Sequence, residues 1–258
     1  MFDDALQAIG FYDPMVFLAL AASVYFIAGV IKGTLGIGFP TAAVSMMAQF
    51  TDARSAITLV ILPMLVTNVW QVIRSKRFLS VIRQVWILVC LMLIFIAIFS
   101  QLASRVRVDV LAALLGVVVS VYALHSLYAK PLQLNTKHDK PAQALTGALA
   151  GAMGGLVAVW APPILIYLSA KRLPKEEFVA TAGVMLLLGT VVLFLSYLGN
   201  GTLSEGFFLY SMLLVLPALA GFGVGEQIRR RLSAQRFQRL LLWFFFIMGL
   251  NLIRRSVF

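Results

Sequence analysis

The stretch Phe26-Ile-Ala-Gly-Val-Ile-Lys-Gly-Thr-Leu-Gly-Ile-Gly-Phe-Pro40 lies inside a long apolar region, yet it contains four glycines, one proline and one lysine. A plain membrane-spanning helix requires none of them. Glycine and proline at this spacing interrupt helical hydrogen bonding, and a broken backbone inside a bilayer is tolerated only where protein buries it or where it lines a wet cavity. The exposed amides at such a break, with the positive end of the following half-helix, form an anion site. We therefore predict a broken helix here, around which the rest of the chain is organised.

The composition places this stretch in a membrane protein. The 258-residue chain is 61% hydrophobic and 12% charged, whereas an ordinary soluble domain is ~45–50% apolar and ~25% charged. Several apolar runs reach the ~18–20 residues that a helix needs to cross the hydrocarbon core, and they do not alternate as barrel strands do. We predict an all-α polytopic fold in a lipid bilayer. The net charge of +11 lies in short loops, where cations set orientation, so nucleic-acid binding is not predicted.

The apolar runs form two sets of five around a polar connector at 129–141, which contains two prolines and three lysines. Three positions of the opening stretch recur 122 residues later (151 − 29 = 122), and coincident Gly and Pro at one offset indicate an internal repeat: Gly29 with Gly151, Gly33 with Gly155, and Pro40 with Pro162. We predict a first repeat at 1–128, a cytoplasmic linker at 129–141 and a second repeat at 142–258, with 8–10 membrane segments. The apolar segments lie at roughly 14–31, 34–50, 55–73, 84–103, 108–128, 143–158, 160–170, 177–198, 206–224 and 237–254.

Loop charges indicate how the two repeats are oriented, because cations mark cytoplasmic loops. The loop at 74–83 contains four cations, whereas its counterpart at 199–205 contains none. The next pair is reversed: the loop at 104–109 is weakly charged and the loop at 226–236 is strongly basic. Equivalent loops thus lie on opposite faces, so the repeats are predicted to be inverted, which is the usual plan of secondary transporters.

Two arrangements fit the first pair of segments, 14–31 and 34–50. They form either two full crossings or one re-entrant hairpin with its tip near Lys32–Gly36. The second pair, 143–158 and 160–170, is too short for two complete spans, so a shallow hairpin or a broken helix is expected there.

The candidate site residues each have a functional and a structural interpretation. Lys32 is a functional candidate because a lysine at membrane depth is costly, unless it snorkels to the cytoplasmic surface. Asn68 lines a cavity or ties two helices together, and Trp160 offers an indole N–H to an anion or anchors the chain at the interface. Gly29 and Gly33, four residues apart, also let a second helix approach closely. The predicted substrate-binding residues are Lys32, Gly33, Thr34, Gly36, Gly38, Pro40, Thr67, Asn68, Gln71, Gly155, Trp160, Pro162, Pro163 and Thr190.

Enzymatic chemistry is not predicted. His125 and His138 are the only histidines and have no Cys or carboxylate cluster at ligand spacing, which does not suit a metal site. No pair of carboxylates lies within an apolar segment, and no Walker A motif is present. We therefore expect no catalytic residues, no metal and no cofactor.

The pattern Ala28-Gly-x-x-x-Gly33-x-x-Gly36-x-Gly38-x-Pro40, followed by Leu62-Pro63 and by Asn68 with Gln71, resembles the TauE/SafE sulfite exporter family, also called TSUP. The Gly151-x-x-Gly154-Gly155 run that ends in Pro162-Pro163 resembles it too. Where that family usually has further glycines before the second proline, this chain has Ala158 and Trp160.

The resemblance implies a multi-pass transporter of the bacterial inner membrane whose substrates are small anions. In this family they are often sulfur oxyanions or organosulfur acids, such as sulfite, thiosulfate and sulfonates. Because the repeats are predicted to be inverted, we expect alternating access. We also expect transport to be coupled to a proton or a sodium ion. An oligomer is compatible with this prediction. The alternatives are an anion channel and a non-transport membrane scaffold or enzyme.

Overall fold

A computed structural model describes residues 13–75, 78–128, 133–202, 205–229 and 234–257. Within these ranges the chain forms thirteen α-helices, one short 3-10 helix (Thr136–His138) and no strand, which confirms the all-α prediction. The predicted linker and the two basic loops lie partly outside the described residues. The helices are α1 (Pro14–Leu35), α2 (Phe39–Met47), α3 (Ala53–Leu59), α4 (Ile61–Ser75), α5 (Phe78–Gln84), α6 (Trp86–Ala103), α7 (Val108–Tyr128), α8 (Asp139–Val157), α9 (Ala161–Ala170), α10 (Lys175–Gly199), α11 (Glu205–Leu213), α12 (Val215–Arg229) and α13 (Ala234–Val257).

Six helical stretches in the described part of the chain are long and apolar enough to cross a membrane. Two of them each combine a pair of consecutive helices, α3 with α4 and α11 with α12. Their lengths and hydropathies confirm a multi-pass membrane protein. The six stretches are Met15–Leu35, Ala53–Ile73, Trp86–Ala103, Val108–Tyr128, Glu177–Gly199 and Gly206–Ile228.

The second helix of each half is too short to cross. Helix α2 has 9 residues and α9 has 10, so each is about 15 Å long, roughly half the thickness of the hydrocarbon core. Of the two arrangements that the sequence allowed for 14–31 and 34–50, a second full crossing does not form. Each half instead begins with a long helix, a break and a half-length helix.

The long first helix of each half packs closely against the fourth segment of the other half. A methyl group at Gly33 of α1 would overlap the carbonyl oxygen of Phe222 on α12 and lie 2.8 Å from the Glu226 nitrogen. Gly29 is equally confined by the α12 backbone at Ala218 and Phe222. These two glycines therefore bring helices together, which is the packing interpretation of their four-residue spacing.

Gly155 on α8 makes the equivalent contact with α6. A methyl group at Gly155 would lie 2.9 Å from the carbonyl oxygen of Ile96 and 2.7 Å from the nitrogen of Ser100. The two helix pairs, α1 with α12 and α8 with α6, thus use glycines 122 residues apart (155 − 33 = 122) for the same purpose. The contact pattern of the first half is repeated in the second.

Helices α4 and α10, the third segments of the two halves, cross in opposite directions. Gln71 donates to the carbonyl of Val179 at 3.4 Å, whereas the earlier residue Asn68 donates to the later residue Thr190 at 2.9 Å. Antiparallel third segments are what inverted halves require. The inversion itself stays a prediction.

The end of the connector anchors the second half. Leu134 donates its backbone N–H to the carbonyl of Ala170 at 3.1 Å, and the Asp139 carboxylate accepts hydrogen bonds from Tyr167 and Gln143 at 2.9 Å each. Burial raises the pKa of Asp139, but these hydrogen bonds and the nearby Lys171 ammonium outweigh it, so the pKa lies below its usual value. The charged carboxylate thereby joins the start of α8 to the end of α9.

The glycine contacts predict a large difference between two substitutions. Gly33→Ala forces backbone against backbone, so we expect it to lower the free energy of unfolding by about 1–3 kcal/mol. Gly223→Ala on α12 is the control, because nothing lies within 4 Å of its added methyl group; it should be neutral or stabilise by up to about 1 kcal/mol. Thermal unfolding of the two variants in detergent measures this, and equal shifts would contradict the described α1–α12 contact.

Candidate functional site

The first break lies between α1 and α2. Gly36 caps α1 with φ 81° and Gly38 precedes α2 with φ 92°, a left-handed conformation that favours glycine. Pro40 lies in the first turn of α2, where its missing N–H costs nothing. The predicted tip at Lys32–Gly36 is therefore displaced: Lys32 is still helical and the bend is at Gly36–Gly38. The reason is that Gly33 serves helix packing and Gly36 adopts the left-handed conformation.

The second break repeats the left-handed helix cap of the first break, but the residue before its short helix, Trp160, has φ −109° where Gly38 has φ 92°. Ala158 caps α8 with φ 55° and its N–H bonds to the Gly154 carbonyl at 3.0 Å. Trp160 precedes α9, and Pro162 and Pro163 follow in its sequence. Ala158 stands 122 residues after Gly36 (158 − 36 = 122) and adopts the same left-handed conformation, which for a residue with a Cβ costs roughly 1–2 kcal/mol.

This strain makes Ala158 a site for stabilisation. We expect Ala158→Gly to raise the free energy of unfolding by about 1 kcal/mol, since the gain in backbone freedom of the unfolded chain offsets part of the relief. Gly36→Ala, the matched change at the first break, should lower it by a similar amount. The nearest described atom to that added methyl is 3.4 Å away on the Val179 side chain, so strain rather than overlap sets the cost. Unfolding midpoints of the two variants should therefore move in opposite directions, and a lower midpoint for Ala158→Gly would contradict the strain.

Lys32 points into the protein from the last turn of α1. Its side chain is 0% exposed, so it does not snorkel to the surface. The Nζ atom donates to Thr67 Oγ1 at 3.1 Å and to Asn68 Oδ1, both on α4. The Phe39 ring centre lies 5.9 Å from Nζ, within the range of a cation–π contact.

Asn68 joins this lysine to the second half. Its amide Nδ2 donates to Thr190 Oγ1 at 2.9 Å, and Thr190 donates to the Leu186 carbonyl at 2.6 Å. Asn68, Thr67 and Thr190 are all fully buried. Asn68 therefore ties α4 to α10, as one of its two interpretations predicted, and at the same time contacts the buried ammonium. We refer to Lys32, Thr67, Asn68 and Thr190 as the Lys32 cluster.

Lys32 has no ion-pair partner among the described carboxylates. The ion pairs seen in the described ranges are Arg107 with Asp109 and Lys171 with Asp139, and neither involves Lys32. Thr67 and Asn68 contribute dipoles but no negative charge.

Trp160 packs against Gly189 of α10, which directly precedes Thr190 of the cluster, and it is 0% exposed, so it is not an interfacial anchor. A methyl group at Gly154 would lie 3.0 Å from Cε3 of the indole, and one at Gly189 would lie 3.0 Å from its Nε1. Nε1 has no hydrogen-bond partner among the described groups.

At two pairs of equivalent positions, one half has a large side chain where the other half has a glycine. At the offset of 122, Lys32 corresponds to Gly154 and Gly38 corresponds to Trp160. In the first half, Lys32 on the long helix reaches Thr67, and the break has a glycine, Gly38, at the position equivalent to Trp160. In the second half, the Trp160 indole at the break covers Gly189, the counterpart of Thr67. The long helix has a glycine, Gly154, at the position equivalent to Lys32. The first half-site therefore contains a lysine, and the second is filled by an indole.

The other predicted residues border the cluster or lie apart from it. Gln71 donates to the Gly36 carbonyl at 3.0 Å and so holds the first break against α4. Thr34 donates to Val30 at 2.8 Å and to Gly225 at 3.3 Å, on the side of α1 that faces α12. Gly33 and Gly155 lie in helix contacts, and Pro40, Pro162 and Pro163 begin the half-length helices. Their assignment to a substrate site stays a prediction.

Some buried side chains in and around the site were not predicted from the sequence. Phe39 directly follows Gly38 in the sequence, and its ring was not predicted to lie beside the Lys32 ammonium. The side-chain oxygens of Tyr25 and Thr181 are fully buried and have no hydrogen-bond partner in the described ranges. Nothing in the sequence distinguishes these two from ordinary core residues. In the same ranges, no group of three or more His, Cys, Asp or Glu residues could hold a metal ion.

These features define a multi-pass α-helical membrane protein with two broken helices and a buried polar cluster that contains a lysine. The family model "Sulfite exporter TauE/SafE" matches residues 21–252. The chain belongs to the TauE/SafE family, which confirms the resemblance seen in its glycine and proline motifs. Family and architecture together support a membrane transporter. Neither a curated protein nor a solved structure matches the chain at a significant level.

Proposed function

We propose that the protein is a secondary transporter that moves small anions across the bacterial inner membrane and that the Lys32 ammonium binds the anion. The observation that carries this proposal is a lysine that is 0% exposed and makes its described hydrogen bonds to two neutral groups. Burying a charge without a partner costs several kcal/mol. A substrate anion supplies the missing charge.

The N-terminal end of α2 also favours an anion beside Lys32. Its first turn keeps the backbone N–H groups of Phe39 and Thr41, and Lys32 lies beside it. The first turn of α9 loses two such donors because Pro162 and Pro163 have none. Helix N-termini bind anions through these N–H groups and the helix dipole, so the first break is the better anion site.

The matched halves support alternating access. Long helices packed through equivalent glycines, and third segments that cross antiparallel at Asn68 and Thr190, are consistent with two inverted halves that rock around a central site. The family description, a sulfite exporter, favours sulfite as the substrate. The proposal also includes other sulfur oxyanions and organosulfur acids, such as thiosulfate and sulfonates. Coupling to a proton or a sodium ion is part of this proposal.

Uptake of radiolabelled sulfite and thiosulfate into proteoliposomes tests the function. We expect saturable uptake by the wild type and at least a roughly tenfold loss in Asn68→Ala, because the change removes one of the ammonium's hydrogen-bond partners and leaves a charged group short of an acceptor. Asn135→Ala is the control, since Asn135 is exposed in the connector. Wild-type uptake equal to that of empty vesicles for every sulfur anion would refute the proposal, and flux that does not saturate would indicate a channel.

A further inference from the structure

Each half-length helix begins next to the Lys32 cluster. Helix α2 begins beside Lys32, where the Phe39 ring centre lies 5.9 Å from Nζ. Helix α9 begins after Trp160, which covers Gly189, the neighbour of Thr190. Because Lys32 is 0% exposed, an anion reaches it only if an element of the protein moves. The contacts at the far ends of α2 and α9 limit how these two helices can move.

The far end of α2 is held by α13. Arg255 Nη1 donates to the carbonyl oxygens of Ala48 at 3.1 Å and of Gln49 at 2.6 Å, at the helix end where a cation is favoured. The Gln49 side chain accepts a hydrogen bond from Asn251 Nδ2 at 2.6 Å and donates to the Met248 carbonyl at 3.5 Å. We refer to Gln49, Asn251 and Arg255 as the Arg255 latch.

The far end of α9 is held at the equivalent position by a different contact. Ala170 stands 122 residues after Ala48 (170 − 48 = 122), and its carbonyl also accepts a hydrogen bond from outside its helix, from the Leu134 backbone N–H at 3.1 Å. The Asp139 carboxylate, at the start of α8, accepts the Tyr167 hydroxyl at 2.9 Å and lies 3.3 Å from the Lys171 ammonium. We refer to Leu134, Asp139, Tyr167 and Lys171 as the Asp139 latch.

The two latches lie at opposite faces, because α7 and α13 pack antiparallel. The rings of Tyr128, at the end of α7, and Trp243, in the first half of α13, are 6.3 Å apart, whereas Gly116 of α7 lies against the last third of α13. Arg255 is therefore at the face opposite to the end of α7, from which the connector reaches the Asp139 latch within six residues (134 − 128 = 6). The connector is predicted to be cytoplasmic, so the Arg255 latch is predicted to be external.

We propose that the two latches are the gates on the two sides of the Lys32 cluster. Opening the Arg255 latch frees the end of α2 from α13, so that the anion reaches Lys32 from one face. Opening the Asp139 latch frees the end of α9 and gives access from the other face. This inference rests on the proposed function, because a gate needs a substrate that passes it. In the structure both latches are formed and Lys32 is buried, as a state closed to both faces requires.

Thiol labelling of the full-length protein in sealed vesicles tests the gates. Cys90 is the chain's one cysteine, so Cys90→Ser gives a background for two buried reporters, Ser45→Cys on α2 and Ile164→Cys on α9. A membrane-impermeant methanethiosulfonate is applied to one face at a time. We expect Arg255→Ala to raise the labelling rate of Ser45→Cys roughly tenfold or more from one face only, because it removes two charge-assisted hydrogen bonds from the closed state. Asp139→Ala should do the same for Ile164→Cys from the opposite face.

Arg254→Ala is the matched control for the Arg255 latch. It removes the same charge one residue earlier, from an exposed side chain that does not bond to α2 among the described groups, and should leave both reporters protected. Three results would overturn the gates: Arg255→Ala labels Ser45→Cys no faster than the control does, one latch variant exposes both reporters equally, or both latch variants expose their reporters to the same face. Equal exposure of both reporters would show that the helix packing had loosened as a whole.

A second variant keeps the test decisive if Arg255→Ala does not fold. Asn251→Ala removes the hydrogen bond to Gln49 Oε1 and leaves Arg255 in place, so it should expose Ser45→Cys to the same face by a smaller factor. Protection equal to that of the control would overturn the Arg255 gate. Labelling needs no substrate, so the proposed function fails separately, when Lys32→Met leaves uptake unchanged.

Discussion

Lys32→Met should abolish anion uptake and leave the protein as stable as the wild type or more stable. Methionine keeps the length and apolar character of the lysine stem, so the packing around Phe39 and α4 is preserved. It removes a buried charge whose desolvation opposes folding, so the sign of the stability change is neutral to positive. Loss of one member of a buried charge pair with substrate costs about 2–5 kcal/mol in binding, which corresponds to roughly 30-fold or more in affinity.

The measurement is uptake and unfolding in parallel. Initial rates of sulfite or thiosulfate uptake into proteoliposomes give the transport effect, and the unfolding midpoint in detergent gives the stability effect. Lys137→Met is the matched control, because Lys137 is exposed in the connector and should change neither. A Lys32→Met protein that transports at the wild-type rate would remove Lys32 from the site. A strongly destabilised one would show that the ammonium is compensated within the protein.

Trp160→Ala should destabilise the protein and widen the range of anions that it accepts. Truncating a fully buried tryptophan typically costs about 3–5 kcal/mol, and the indole here lies against Gly154 and Gly189, next to the Ile96 side chain. The space left adjoins Gly189, which directly precedes Thr190 of the Lys32 cluster. Larger organosulfonates should then compete with sulfite more strongly than they do in the wild type.

Trp86→Ala provides the control for this prediction. Trp86 is 57% exposed at the start of α6, so its removal should change stability by about 0.5 kcal/mol or less. It should not alter the order in which anions of increasing size inhibit sulfite uptake. If Trp160→Ala keeps the wild-type order of inhibitors at a measurable transport rate, the indole does not limit substrate size.

Much of the fold follows from local sequence. Continuous apolar runs give the long helices, and the ends of α7 coincide with the predicted segment 108–128. Gly36 and Gly38 give the first break because the left-handed backbone favours glycine. The prolines begin the next helix because its first turn does not need their N–H. These effects act within a few residues, so they can be predicted from the sequence alone.

The side-chain arrangement of the site follows less well. Lys32 and Asn68 each had two interpretations, because the choice depends on how α1 and α4 rotate against each other, and only tertiary packing sets that rotation. Trp160 is as stable at a membrane interface as in a core. Its burial depends on two glycines that leave room for it, Gly154 in the preceding helix and the distant Gly189 on α10. The comparison of the two halves at the offset of 122 contains a signal for this difference, because Lys32 and Gly38 correspond to Gly154 and Trp160.

The most direct test of the central claim, that Lys32 binds the transported anion, is an experimental structure with a selenium oxyanion. Selenite and selenate have the shape and charge of their sulfur counterparts and scatter anomalously, so their position is measured independently of the protein. We expect an anomalous peak with its oxygen about 2.7–3.2 Å from Lys32 Nζ, near the first turn of α2, and the loss of this peak in Lys32→Met. A protein that transports the anion but shows no peak at Lys32, with Nζ still bonded to Asn68, would contradict the claim.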